Sequence, residues 1–241
     1  MRTDRYNIDI KEFGDKGVNE VVIACHGFLG NKNSSVIEAI GKELIKYNIG
    51  VVTFDFPAHG KSDAKDTDLR VENCIQDIVD VENYVKEKYG DVKLSIFATS
   101  FGGYITLLKL FRYKTKYNHI MLRAPAIKMD EILKENIFKD EFQKFEEEGK
   151  LKFGFKRPMD VPYAFYEDLT KNKVLDLFDL DQKISIIQGN KDEIAPIKDT
   201  YEFKSKNDDL ISIEEIDGAL HRMKNPGNLE QVVEFVKKIM L

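Results

Sequence analysis

The chain has few of the residues that build metal centres or bind nucleotide phosphates. Its 241 residues include two cysteines and four histidines, and these are not spaced as metal ligands or as a disulfide framework. No Gly-x-x-x-x-Gly-Lys sequence is present to hold the phosphates of a nucleotide. The sequence therefore predicts a protein that uses no metal ion and no nucleotide cofactor.

Long apolar runs and an excess of positive charge are missing as well. The amino terminus lacks the apolar region of a secretory signal, and no run reaches the roughly 20 residues that a membrane-spanning helix needs. The formal net charge is −5 with both signs spread along the chain, which argues against nucleic acid as a partner. Cys25 and Cys74 lie in apolar patterns and are expected to be reduced core residues. We expect a soluble, cytoplasmic protein without a membrane span.

Apolar strand patterns alternate with amphipathic helix patterns along most of the chain. This alternation is typical of a mostly parallel sheet that carries helices on both faces. It stops between Ala126 and about Asp181, where the sequence is charged, aromatic and helical in parts, with no convincing buried strand. We therefore expect a single α/β domain over residues 1–241, with an insertion at about 126–181 that lies over the carboxyl edge of the sheet.

Ser100 stands where a strand pattern changes abruptly into a helix pattern. An apolar run from Lys93 ends at this serine, Gly102 and Gly103 follow, and helical spacing begins at once. Such a sharp turn leaves room only for small residues two positions before and after the serine, where Ala98 and Gly102 stand. The turn would hold the Ser100 hydroxyl out of the sheet edge, with a helix amino terminus behind it to stabilise negative charge. The same motif also occurs in turns that serve packing alone. Whether Ser100 is a nucleophile therefore has to be judged from the rest of the sequence.

A serine needs a general base, and a group that orients the base, before it can act as a nucleophile at neutral pH. In a hydrolase sheet the expected chain order is serine, acid, histidine, each after a strand. Only His221, in the loop after the last predicted strand, comes late enough. The loop after the preceding strand supplies Asp192, with Glu193 beside it as the alternative acid. We predict Ser100, Asp192 and His221 as a catalytic triad.

Acyl transfer also requires donors for the negative oxygen of the tetrahedral intermediate. The backbone N–H after the nucleophile, that of Phe101, is the first candidate. The second is expected from the loop after an earlier central strand, where Gly27 allows close approach and Phe28 supplies the N–H. We predict Phe28 and Phe101 as the oxyanion donors and assign structural roles to His26 and His59.

With these motifs the sequence resembles the serine hydrolases of the α/β-hydrolase superfamily. The matching segments are residues 26–28, 55–62, 98–103, 189–196 and 218–221. The chain looks most like the bacterial cinnamoyl/feruloyl esterases and the monoacylglycerol-lipase-like esterases. The resemblance implies the same triad and donors, and an α/β-hydrolase fold with a small helical cap inserted after the sixth strand. Two positions depart from the family pattern, because Ala58 and Ala98 replace usual glycines.

The insertion is rich in aromatic residues. Phe138, Phe142 and Phe145 fall on one predicted helical face, which is suited to packing the cap onto the body. Pockets for small molecules are mostly apolar, so an uncharged or weakly polar substrate is expected. The residues predicted to line a pocket for an acyl or aryl group are Phe153, Phe155, Tyr163, Phe165 and Tyr166.

The leading interpretation is a hydrolase of small-molecule carboxylic esters, with a short acyl or aryl group, that works through an acyl-enzyme. Two other enzymes stay open, a thioesterase and a serine aminopeptidase-like hydrolase. The second would need an acidic group to receive a free amine, and Glu146-Glu147-Glu148 is the only obvious acidic run. A binding protein on a hydrolase scaffold is the alternative from another class, although no triad residue or oxyanion glycine has been lost. Nothing in the sequence indicates the oligomeric state.

Overall fold

The computed structural model describes residues 1–113, 115–154, 157–177 and 180–241. The strands are β1 (Ile10–Phe13), β2 (Glu20–Cys25), β3 (Ile49–Phe54), β4 (Lys93–Thr99), β5 (Ile120–Arg123), β6 (Lys150–Phe153), β7 (Met159–Pro162), β8 (Ile184–Gly189) and β9 (Ile211–Ile216). Seven of them form one sheet in the order β1-β3-β2-β4-β5-β8-β9. β1 pairs antiparallel with β3, and the other neighbours in this sheet are parallel. The predicted mostly parallel sheet is confirmed.

Helices cover both faces of the sheet, as predicted. They are α1 (Ser35–Leu44), α2 (Val71–Tyr89), α3 (Phe101–Tyr113), α4 (Met129–Glu131), α5 (Phe142–Glu148), α6 (Tyr163–Lys171), α7 (Ile197–Ser205) and α8 (Asn228–Met240). α1 and α8 share one apolar cluster with the sheet, and α2 and α3 share another on the opposite face. Helical spacing turns Val232, Phe235 and Val236 of α8 inwards, and burying one such side chain stabilises the fold by about 1.5–3 kcal/mol. Within the described ranges, none of these helices is both long and apolar enough to cross a membrane.

The candidate residues collect at one edge of the sheet because parallel strands end on the same side. β2 lies between β3 and β4, and Cys25 at the end of β2 pairs in register with Ala98 near the end of β4. The loop after β2 therefore lies beside the turn after β4. After β2 the chain first forms β3 on one side of β2 and later forms β4 on the other side. Ligands bind at such a reversal in open α/β sheets.

The insertion between β5 and β8 is less regular than the sheet. It follows the fifth strand of the chain, not a sixth as predicted, and it contains a π-helix at Ile132–Phe138 in addition to α4, α5 and α6. The antiparallel pair of β6 and β7 corrects the expectation of a small helical cap with no convincing buried strand. Leu151, Met159 and Val161 are buried and alternate with polar residues, but strands of four residues are too short to stand out in a sequence.

The phenylalanine face predicted for a single helix is interrupted. Lys139, with φ of 27°, ends the π-helix, and α5 begins at Phe142. Phe138 and Phe145 are buried nonetheless, with ring centroids 4.9 Å apart, and Phe138 lies 5.0 Å from Phe153. These rings pack against other rings of the insertion and form its core.

Polar contacts attach the insertion to the rest of the molecule. Arg70, just before α2, forms a two-pronged ion pair with Asp168 of α6, with both N–O distances at 2.6 Å. Arg157 donates to three backbone carbonyls of the loop at residues 59–62, at 2.7, 2.7 and 3.0 Å. The insertion is thus fixed to the loop after β3 and to the start of α2.

Candidate active site

Ser100 lies on the turn between β4 and α3 in a backbone conformation that few side chains adopt. Its φ of 51° is in the left-handed region. The Ser100 N–H donates to the Arg123 carbonyl at 2.9 Å, and the Ser100 carbonyl accepts from the N–H groups of Tyr104 and Ala126 at 3.0 and 3.1 Å. The turn is therefore held from both sides, and the predicted sharp change from strand to helix is confirmed.

Gly102 must be small because α3 begins against the loop after β2. A Cβ atom at this position would lie 2.6 Å from the His26 carbonyl oxygen and 3.0 Å from the Cys25 Cβ. Ala98, at the other small position, is fully buried in β4 with ordinary strand geometry. No left-handed backbone is needed there, so alanine can replace the usual glycine.

His221 reaches Ser100 from the loop after β9. Its Nε2 lies 3.0 Å from the Ser100 Oγ, and its Nδ1 lies 2.8 Å from Oδ2 of Asp192. An ionised carboxylate can only accept hydrogen bonds, so the proton of a neutral imidazole belongs on Nδ1, and Nε2 accepts from the serine hydroxyl. The structure thus brings the three residues predicted as a triad into one hydrogen-bonded line.

Asp192 is 7% exposed and is held by more than the histidine. Its Oδ1 accepts from the backbone N–H groups of Ile194 and Ala195 at 3.0 and 2.8 Å. Its Oδ2 accepts from Nε2 of Gln188 at 3.3 Å as well as from His221. A carboxylate offers roughly four acceptor positions. All of them have a donor here, so the orientation of the carboxylate is fixed.

Glu193, the alternative acid, contacts a different part of the histidine. Its Oε2 accepts from the backbone N–H of His221 at 3.0 Å, and the imidazole ring is bonded to Asp192 instead. Glu193 is exposed, whereas Asp192 is buried. The geometry therefore assigns the ring-orienting position to Asp192 and leaves Glu193 to hold the loop.

The predicted oxyanion donors lie in the two segments that meet at Ser100. Phe101 is the first residue of α3, and the first N–H groups of a helix have no acceptor inside it. The N–H of Phe28 has no acceptor within the described part of the chain. A Cβ atom on Gly27 would lie 3.3 Å from the Ser100 Cβ, which shows how closely this loop approaches the serine. Both N–H groups thus remain available near the Ser100 side chain.

His26 and His59 brace the loops behind these donors. His26 accepts from the Phe56 N–H at 3.1 Å through Nε2, and its Nδ1 lies 2.8 Å from the Gly27 carbonyl. The Nδ1 of His59 lies 2.8 Å from the Pro57 carbonyl. Burial lowers the pKa of both histidines, that of His59 to about 3. Both are neutral near pH 7, and their bonds confirm the predicted structural roles.

A model of the serine aminopeptidase family, S33, matches residues 16–152, which is more than half of the chain. The chain belongs to the S33 serine aminopeptidase family. The matched segment contains Ser100 and the loop with Phe28, and it ends before Asp192 and His221. No curated protein matches the sequence.

Solved structures share the fold of this S33 family member at low sequence identity. Est1E from Butyrivibrio proteoclasticus with bound ferulic acid is 20% identical, with a TM-score of 0.82 over 98% of this chain and 96% of that one. Mouse alpha/beta hydrolase domain-containing protein 10 is 17% identical, with a TM-score of 0.76 over 100% and 96%. The monoacylglycerol lipase of Paleococcus ferrophilus is 18% identical, with a TM-score of 0.70 over 97% and 98%. These likenesses confirm the predicted α/β-hydrolase fold.

A cleft of about 1100 Å³ opens over Ser100 in this S33 hydrolase. Ser100 and His221 form part of its wall, together with the loop at residues 26–31. Phe153, one of the five aromatic residues predicted to line a pocket, borders the cleft from the insertion. Phe155, another of the five, lies outside the described residues. Among the residues that are described, no three His, Cys, Asp or Glu side chains are grouped to hold a metal ion.

The other three predicted lining residues, Tyr163, Phe165 and Tyr166, do not border the cleft. Phe165 is fully buried, with its ring centroid 6.0 Å from that of Phe28 and 5.8 Å from that of Phe101. It therefore supports the donor loops from behind. Tyr163 and Tyr166 pack against phenylalanine rings of the insertion. These three rings pack against other rings and do not line the cleft. The aromatic content of the sequence could not show this, because the direction of each ring depends on neighbours distant in sequence.

Three arginines, Arg123, Arg157 and Arg222, border the cleft although the aromatic pattern did not single them out. Arg123 ends β5, and Arg157 lies just before β7. The sequence does carry a signal for Arg123, because a charged residue directly follows the apolar run at 120–122. Polar residues at the carboxyl ends of buried parallel strands are candidates for a functional site.

Proposed function

We propose that the protein hydrolyses a carboxylic ester with a short acyl or aryl group through an acyl-enzyme intermediate. Ser100 is the nucleophile, His221 is the general base and acid, and Asp192 orients the imidazole. The observation that carries the proposal is the hydrogen-bonded line from Asp192 Oδ2 to His221 Nδ1, at 2.8 Å, and from His221 Nε2 to Ser100 Oγ, at 3.0 Å.

In the first half-reaction the Ser100 Oγ attacks the ester carbonyl carbon while its proton passes to His221 Nε2. The oxygen of the tetrahedral intermediate accepts from the N–H groups of Phe28 and Phe101, and each such donor contributes about 10²–10³ in rate. His221 then gives the proton to the leaving alcohol, and the acyl group stays on Ser100. In the second half-reaction His221 takes a proton from water, the hydroxide attacks the acyl carbon, and the carboxylic acid leaves as Ser100 regains its proton.

The insertion fits the role of a cap in this proposal. Residues 1–241 would form one domain, with residues 126–181 closing over Ser100. Ile137, Phe153 and Met159 give the cleft an apolar wall on that side, which suits an acyl or aryl group. The ferulic acid bound to Est1E makes aryl esters a first class of substrate to test.

An aminopeptidase-like reaction is the second candidate, because the family description favours it. Such an enzyme needs a carboxylate to receive the free amine of a peptide. Among the described lining residues Glu193 is the one carboxylate, and one of its oxygens already accepts from the His221 N–H. Arg123, Arg157 and Lys224 border the same cleft and would repel an ammonium group. This charge distribution favours the ester.

Two measurements test the proposed nucleophile. One is labelling with a fluorophosphonate, read by intact mass, and the other is hydrolysis of 4-nitrophenyl acetate. We expect one adduct on the native protein, none on Ser100→Ala and much less on His221→Ala. The kcat should fall by about 10⁴ or more in both variants. Ser205→Ala, which removes an exposed hydroxyl at the end of α7, is the matched control and should label like the native protein.

Two results would overturn this proposal. One is ester hydrolysis that survives at the native rate in Ser100→Ala. The other is a folded native protein that neither takes the label nor cleaves any ester. An amino acid 4-nitroanilide, measured beside the ester, decides between the two candidates, because an aminopeptidase would cleave the anilide with the higher kcat/KM.

A further inference from the structure

Arg123 is a buried cation that the proposed mechanism does not use. It ends β5 beside the Ser100 turn and is 8% exposed. Within the described part of the chain its guanidinium makes one hydrogen bond, from Nη2 to the His221 carbonyl at 3.3 Å, and its Nε is buried without a partner. A guanidinium presents several N–H donors in a planar fork. Most of the donors of Arg123 therefore have no acceptor among the described residues, and for the buried Nε–H this is costly.

The negative charge of Asp192 affects the pKa of Arg123, but the two side chains form no ion pair. Burial lowers the pKa of Arg123 to about 10, and the negative charge of Asp192 opposes that change. The acceptor positions of Asp192 are already taken by two backbone N–H groups, by Gln188 and by His221. No ion pair joins Arg123 to any carboxylate of the described residues. Arg123 thus stays charged near neutral pH and keeps donors for a further acceptor.

The cleft that Arg123 borders is cationic, although the protein as a whole is acidic. Its described lining contains Arg123, Arg157, Arg222 and Lys224 but a single carboxylate, that of Glu193. The chain carries a formal net charge of −5. Arg157 is bonded to backbone carbonyls, which do not cancel its charge. A cleft lined by one sign of charge attracts ligands of the opposite sign.

Arg123 belongs to the side of the cleft that α1 and α8 cover. Successive residues of a strand point to opposite faces of a sheet, so Arg123 shares the face of Met121, which packs in the cluster with those two helices. Ser34 and Ser35 at the amino terminus of α1 and Lys224 before α8 also border the cleft. The amino terminus of a helix carries partial positive charge. The surroundings of Arg123 in the cleft thus add to its attraction for an anion.

We propose that Arg123 binds an anionic oxygen group of the substrate, a carboxylate or a phosphate, and that the natural substrate is an anionic ester. Arginine pairs with such groups through two parallel hydrogen bonds. This inference rests on the proposed ester hydrolysis and narrows its substrate class. It replaces the uncharged or weakly polar ester that the aromatic content of the insertion predicted.

Two matched pairs of esters test this proposal, with the charge on the acyl or the alcohol portion. The acyl pair is mono-4-nitrophenyl adipate and 4-nitrophenyl hexanoate, and the alcohol pair is 4-acetoxybenzoate and phenyl acetate. The native protein should prefer the anionic member of one pair by about tenfold or more in kcat/KM. Arg123→Met should reduce that preference by about tenfold, and Arg123→Lys should keep part of it because the charge remains. Arg2→Met, an exposed arginine outside the described lining, is the matched control and should keep the native ratio.

If the only role of Arg123 were to hold the His221 loop in place, the preference for the anionic esters would respond differently to the variant. Arg123→Met would then lower kcat/KM for both members of each pair by the same factor, and the proposal would be wrong. It would also be wrong if the native protein preferred the neutral member of both pairs.

A binding measurement separates this inference from the proposed reaction. Adipate and inorganic phosphate should each be tested for their effect on the thermal unfolding of native protein and of Arg123→Met. A rise in Tm of the native protein that the variant lacks supports the anion site even if no ester is cleaved, and the stronger of the two anions identifies its chemistry. No rise with either anion in the native protein would overturn the inference and leave the proposed hydrolysis standing.

Discussion

The sheet edge and the insertion border the same cleft, but they are built in different ways. At the edge, Ser100, Asp192 and His221 each follow a strand, and backbone bonds or buried side-chain bonds fix each one. The insertion consists of short elements around its own aromatic core, attached to the body by side chains such as Arg70. From this difference we expect the rigid edge to carry the proposed chemistry and the insertion to control access to the cleft.

The two regions also differ in how strongly water screens their polar contacts. The side chains of Arg70 and Asp168 are 43% and 16% exposed, so their ion pair is worth about 1 kcal/mol or less in spite of its good geometry. The bonds to Asp192 are buried, and leaving one donor there unpaired costs about 1–3 kcal/mol. Variants at the edge should therefore affect catalysis more than variants of the attachment.

Apart from removal of Ser100 or His221 themselves, the largest effect is expected from Asp192→Asn. An amide at this position can donate to Nδ1 of His221, which would leave the imidazole proton on Nε2, where the proton of Ser100 has to go. The kcat should fall by about 10³–10⁴ while the fold is kept. The measurement is steady-state hydrolysis of 4-nitrophenyl acetate, with circular dichroism to check the fold.

Glu193→Gln is the matched control for that variant. It removes the same charge one residue further on, and its amide can still accept from the His221 N–H, so kcat should stay within about threefold of the native value. A fall in Glu193→Gln as large as that in Asp192→Asn would mean that the loop, and not one carboxylate, positions the histidine. The rigid edge would then be the wrong explanation.

Arg70→Met should change substrate choice and leave the chemistry intact. It removes the ion pair with Asp168, so the insertion should cover the cleft less closely. We expect KM for 4-nitrophenyl hexanoate to rise by about fivefold at most, as an ion pair of about 1 kcal/mol allows, and kcat for the acetate to change by less than about twofold. Lys46→Met, which breaks an exposed pair with Glu43 on the body, is the control and should change neither value. Equal losses on both esters would show that insertion and edge are not separable.

The edge could be predicted from the sequence because its signals are local. Each of Ser100, Asp192 and His221 follows an apolar run that is typical of a strand, and chain order alone decides which can meet. In the insertion, Phe153 and Phe165 both stand in aromatic-rich segments, yet one borders the cleft and the other is buried behind the rings of Phe28 and Phe101. Which way a ring points there depends on tertiary packing. The same limit hid the hairpin of β6 and β7.

Acid should act on the body before it acts on the insertion, since residues 126–181 contain no histidine. The pKa of His59 falls from 6.5 to about 3 on folding, because burial disfavours its charged form. Between those values the unfolded chain binds a proton that the folded protein does not. The free energy of unfolding is therefore fully retained above pH 6.5 and falls with decreasing pH, by about 1.4 kcal/mol per pH unit for this group.

His59→Gln should flatten that dependence. Urea unfolding at pH 6.5 and at about pH 4.5 should show a loss of stability that is about 2 kcal/mol smaller in the variant than in the native protein. His119→Gln is the control, because it removes an imidazole that does not belong to the pair of His26 and His59. An identical slope in native protein and His59→Gln would mean that His59 takes up a proton in the folded state.

Ala98→Gly should have the smallest effect and is the sharpest check on what makes the edge rigid. Ala98 has ordinary strand geometry and is fully buried, so glycine would add flexibility to the unfolded chain and remove one buried methyl group. Together these cost about 1–2 kcal/mol, with kcat within about twofold. Gly102→Ala is the reverse swap, and its Cβ atom would lie 2.6 Å from the His26 carbonyl, so the backbone beside Ser100 must move. If both variants kept native kcat, close packing would not determine where Ser100 points. A tenfold higher kcat in Ala98→Gly would mean that alanine restrains the turn and that this restraint slows the reaction.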